Sequence, residues 1–220
     1  GVLFAWRKNG HAGDAGAHKV IAVLPFENQG DSTQEYFADG ITDEVRGKLS
    51  ALPGLTVIAG GSSRAYKHTD KPLAEVAREL GATHLLVATV RWARNPDGSM
   101  QVRVSPELVA VAGGTPTTRW QQAFDAALTN VFQVQADIAG QVAGALDVAL
   151  ADSVSRTIAA KPTGNLPAYD AFLRGEELFV TRALNSPSGL RQAIGFYKEA
   201  LALDSNLVPA WAQMSRAHSL

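Results

Sequence analysis

Three carboxylates, Asp39, Asp43 and Glu44, form the densest acidic group in the chain. A carboxylate pair can divide general acid and general base work, provided that the two groups converge in a cleft. Their place at the start of an amphipathic stretch favours another role, with Asp39 or Thr42 capping a helix and the carboxylates near the positive end of its dipole. Gly40 then reads as a point of local bending. The second candidate is Gly60-Gly61-Ser62-Ser63, which follows a strand-like run and has Arg64 and Lys67 beside it. Backbone amides in such a turn can cradle an anion. The stretch lacks both the P-loop lysine spacing and the dinucleotide glycine fingerprint, so a tight turn with a serine cap is the simpler reading. Neither serine has a His–Asp pair near it in sequence. Trp92, Trp120 and Phe124 would need flanking positive charge to stack nucleic-acid bases. With only Arg91, Arg94 and Arg119 close by, they read as cross-strand packing. His11, His18, His68, His84 and His218 never fall at metal-ligand spacing on one element. The sequence therefore assembles no catalytic residues, no metal site and no cofactor site.

Composition narrows the partners. Twenty basic residues against 21 acidic ones give a formal net charge of −1, which is no footprint for nucleic acid. The absence of cysteine removes disulfides and thiolate chemistry and is compatible with either redox compartment. Residues 1–6 are apolar, end in Trp6 and are followed by Arg7 and Lys8. That pattern fits the end of a membrane helix whose remainder lies upstream, since a complete span needs about 20 apolar residues. Residues 9–18, rich in Gly, Ala and His, form a linker.

The elements that must position these side chains follow from periodicity. Lys19–Phe26 is a β-branched apolar run and reads as a buried strand. Gln34 to Leu52 places Phe37, Ile41, Val45 and Leu49 on one helical face, stopped by Pro53-Gly54. Leu55–Ala59 is a second strand. Pro72 opens a helix with Leu73, Val76, Ala77 and Leu80 inward, and Gly81 closes it. Thr83–Trp92 reads as a central strand, Asn95-Pro-Asp-Gly98 as a hairpin, and Met100–Val111 as an alternating strand in which Pro106 implies a bulge or an edge. A last strand over Thr117–Phe124 precedes a long amphipathic helix from Leu128 to Leu150. The result is a β-α-β-α-β-β-β-α domain over 19–152 with a mixed sheet. A linker over 153–167, broken at Lys161–Pro167, is expected to carry few contacts across it. Residues 168–220 read as helical.

Ordered phrases along the chain carry a family resemblance. They are Ile21-Ala-Val-Leu-Pro-Phe26, Tyr36-Phe-Ala-Asp-Gly-Ile-Thr42, Leu52-Pro-Gly-Leu-Thr-Val-Ile58, Ser62-Ser-Arg-Ala-Tyr-Lys67 and Glu79-Leu-Gly-Ala-Thr-His-Leu-Leu86. Together they resemble the TolB-like amino-terminal domain of bacterial membrane signalling proteins. Near the C-terminus, Ala193, Tyr197 and Ala200, then Trp211 and Met214, fit the packing positions of tetratricopeptide repeats. Small Ala193 and Ala200 let helices approach, while Tyr197 and Trp211 fill the space between them. Ser205, Ser215 and His218 depart from that consensus. The resemblance implies an α/β domain followed by truncated repeats at 168–220, which bind a protein or peptide. It also implies a non-catalytic, extracytoplasmic sensor or interaction region, anchored through a segment upstream of residue 7 in the inner membrane. Similar proteins carry a serine/threonine kinase, an adenylate cyclase or a winged-helix regulator, and a kinase is the expected parent. The alternatives are a soluble small-ligand or nucleotide-binding protein using the Gly60–Ser63 turn, cytoplasmic rather than extracytoplasmic, and an envelope scaffold.

Overall fold

A computed structural model describes residues 19–181 and 186–219. The expected membrane-helix end at Trp6, Arg7 and Lys8, the linker with His11 and His18, and positions 182–185 and 220 of the segment expected to be helical lie outside the described residues.

Strand β1 (Lys19–Val23) runs parallel to β3 (Leu55–Val57) on one side and to β4 (His84–Arg94) on the other. Strand β5 (Met100–Ala110) pairs antiparallel with β4, and β6 (Thr117–Gln121) pairs antiparallel with β5. The sheet is mixed, in the order β3-β1-β4-β5-β6. The first expected strand is divided. Pro25 ends β1, the Phe26 amide donates to Thr42 Oγ1 at 2.9 Å, and the chain returns beside β4 as β2 (Glu27–Asn28). The last expected strand is divided too, because β7 (Phe124–Ala127) takes over the other end of β5. Pro106, which has no amide hydrogen, stands between the residues of β5 that pair with β7 and those that pair with β6, and the ladder shifts register at Leu108/Val109. The expected hairpin is present, with Gly98 at φ +85° and the Asp97 carboxylate accepting the Ser99 amide.

Helix α1 (Glu35–Ser50) buries Phe37, Ile41, Val45 and Leu49 against the sheet, as their spacing requires. It begins earlier than the capping assignment assumed. A 3-10 turn over Ser32–Gln34, capped by Asp31, leads into it, so Asp39 and Thr42 lie inside the helix and cap nothing. Short α2 (Gly60–Arg64) lies against α1, with Gly60 beside Arg46 and Arg64 paired to Asp43, while α3 (Leu73–Leu80) covers the opposite face of β1 and β4 and is closed by Gly81 in the left-handed region at φ +63°. Helix α4 (Val131–Ala145) joins α1 on the larger face and stops short of the expected Leu150; Asp147 turns the chain away at φ +51°. The expected linker contains a helix, α5 (Asp152–Ala159).

A helical segment completes the α/β architecture: α6 (Leu166–Thr181), α7 (Pro187–Leu203) and α8 (Val208–His218). Tyr169 at the start of α6 is fully buried and sits edge-on to Phe132 and Phe37, with centroids 4.8 and 5.9 Å away. Phe172 passes the aromatic contact on to Tyr197 of α7. One continuous apolar core therefore runs from the sheet into the helical segment. The expectation of few contacts across Lys161–Pro167 is not met. Sequence periodicity reports how one element buries its own face, and it is silent on two such faces sharing one core.

Candidate functional site

Helices α1 and α6 lie side by side in the same direction. The Tyr36 hydroxyl donates to Asp170 at 2.5 Å, and further along Gly40 faces Leu173. A Cβ on Gly40 would lie 2.5 Å from Leu173 Cδ1, closer than packing allows. Gly40 thus serves a close helix approach and not the expected bend. Between the two helices lies a cleft of about 350 Å³ that Tyr36, Gly40 and Pro209 also line.

Its chemistry is uneven. Tyr169, Phe172, Leu173 and Val180 supply apolar surface, while Asp39, Asp43, Glu44, Glu176 and Glu177 bring carboxylates. Arg64 and Lys67 are the cations on the wall, and both are engaged. Arg64 contacts Asp43 at 2.5 Å, with Arg46 on the same carboxylate at 2.6 Å. Lys67 bridges Asp39 at 2.6 Å and Glu35 at 2.9 Å. Glu176 accepts from the Tyr197 hydroxyl at 2.6 Å and from Gln213 at 2.8 Å.

Glu44 differs from these. Among the described residues its carboxylate has no ion pair and no hydrogen bond, and burial pushes its pKa up despite the nearby charge of Lys48. The Lys48 ammonium instead donates at 2.7 Å to the carbonyls of both Ile158 and Ala160, holding the end of α5. Burial also raises Asp39 against the pull of Lys67, and Glu176 against its two donors. Burial and the bond to Asp170 push Tyr36 up to about 12. The Tyr169 hydroxyl is buried beside the amide of Gln135, which pulls its pKa down against the larger upward push of burial, and the ring is held by its aromatic packing.

The anion-site candidates fall elsewhere in purpose. Gly60, Gly61, Ser62 and Ser63 form the first turn of α2; among the described residues no side chain caps that turn, and the Ser63 hydroxyl is buried without a hydrogen-bond partner. Arg64 and Lys67 turn toward the carboxylates of α1 and tie α2 and the segment after it to that helix. Trp92 does not join Trp120 and Phe124. It packs edge-on to Phe37, 5.4 Å away, and donates to Asn28, whereas Trp120 and Phe124 pair with each other at 6.2 Å. In the helical segment Ala193, Tyr197 and Ala200 are fully buried, with Gly175 admitting the Tyr197 ring. Trp211 is 51 % exposed and its indole donates to the Ser205 carbonyl, while Met214 is partly buried. No histidine, aspartate or glutamate cluster among the described residues has the makings of a metal site.

The α6 half of the cleft escapes a reading by local motif. Tyr169, Leu173, Glu176 and Val180 recur at helical spacing, but only packing against α1 gives that face its meaning. The one local signal is Gly40, a poor helix former at the centre of a strong helical pattern.

Comparison with known proteins gives one curated relative and several distant structural neighbours. No family model matches the chain. A protein of Rhizobium meliloti named putative adenylate cyclase 3 is 33% identical over 201 residues, covering 90% of this chain and 32% of the relative. TolB from Acinetobacter baumannii is 15% identical with a TM-score of 0.45, over 59% of this chain and 28% of that one. Lipoprotein GNA1162 from Neisseria meningitidis is 15% identical with a TM-score of 0.41, over 57% of this chain and 99% of that one. The chain spans about a third of the length of the curated relative it matches.

Proposed function

We propose that this chain is a non-catalytic, protein-interacting region of a longer bacterial signalling protein, and that the parent is an adenylate cyclase. The span of the match carries this reading: nearly the whole chain aligns with a minor part of a relative named for cyclase activity. The name favours a cyclase over the kinase expected from sequence. The helical segment supports an interaction role, because α8 presents Val208, 71 % exposed, beside the half-exposed Trp211. An extracytoplasmic position, with a tetratricopeptide-like segment as the partner-binding part, follows from the sequence resemblance. Among the described residues no helix is long and apolar enough to cross a membrane.

Assay of the purified chain beside the full parent tests the catalytic division. The parent should form cyclic AMP from ATP, and the chain alone should turn over neither ATP nor peptides or esters. Turnover by the chain that disappears on Ser62→Ala or Asp39→Ala would overturn the non-catalytic assignment. Alkaline phosphatase fused to the end of this region within the parent should be active if the region is extracytoplasmic, and inactive if it is not.

A further inference from the structure

We draw no further inference here: the strongest candidate, the exposed apolar patch of Val208 and Trp211 on α8, carries nothing beyond the interaction role already proposed, because nothing in the structure shows what covers it.

Discussion

The two faces of the sheet are finished in different ways. One face carries α1 and α4, and its core continues through Tyr169, Phe172 and Tyr197 into the helical segment. The other carries α3 over a small cluster built on Ala22, Leu24, Val76, Ala77, Ala82 and Leu85. Beyond that cluster it is polar, with Arg91 bonded to Gln29 and an exposed Arg103–Asp125 pair. The difference teaches how the chain is assembled. The helical segment is an extension of one face of the sheet, keyed by aromatic rings, and the second face is closed without it.

Substitutions at the ring contacts should break this asymmetry most strongly. Tyr169→Ala removes a fully buried ring from between both units and should cost about 3–5 kcal/mol in urea unfolding, against about 2 kcal/mol for Val76→Ala on the small face. Both should leave a single cooperative transition. A Tyr169→Ala protein in which the sheet melts unchanged would show that the helical segment folds separately. Within that segment, Tyr197→Ala should cost about 3 kcal/mol or more and Trp211→Ala below about 1 kcal/mol, because only the first ring is enclosed. Similar losses at both positions would mean that Trp211 belongs to a closed core. Gly40→Ala should cost about 1–3 kcal/mol through overpacking against Leu173. Leu173→Ala in the same chain should recover part of that loss, a non-additivity that a double-mutant cycle measures.

The smallest expected effect is electrostatic and has a definite sign. Burial raises Glu44 above the ordinary 4.5, so the folded chain holds that proton more tightly than the unfolded chain. Its ionised form therefore opposes folding at neutral pH, and the penalty fades as pH falls through the folded-state pKa. Glu44→Gln should raise the melting temperature slightly at neutral pH, and the difference should shrink on acidification. The whole protein contains opposing groups. Burial lowers His84, which withdraws stability below 6.5, and hydrogen bonds lower Asp31, Asp97, Asp125 and Asp204, whose contributions fade as pH falls below 3.8. Only the difference between variant and parent isolates Glu44. A gap in melting temperature that widens on acidification would contradict the burial of this carboxylate.

Local pattern made much of the scaffold legible. The spacing of Phe37, Ile41, Val45 and Leu49 marks α1, Gly81 marks the end of α3, and the Asn95–Gly98 turn marks the hairpin, because each is decided by neighbours in sequence. The division of β1 from β2 was hidden, since it depends on Thr42 reaching back to the Phe26 amide from α1. The helix within the expected linker was hidden as well, held in part by Lys48 from a distant element. The candidate cleft was half visible. Asp39, Asp43 and Glu44 stand out as an acidic group, but the assignment of Asp39 or Thr42 as a cap misplaced the helix start. Their partners Tyr169, Leu173 and Glu176 acquire a role only when α6 docks.

Gly40 also has a genetic consequence. Every single-base missense change in a glycine codon adds a side chain, and at this position the first added carbon falls on Leu173. Leu173 belongs to the core that the sheet shares with the helical segment, so such variants should be destabilised throughout and accumulate less in cells. Codon 40 is therefore a place where spontaneous mutants lower the amount of this protein, and second-site changes that shorten Leu173 should restore part of it.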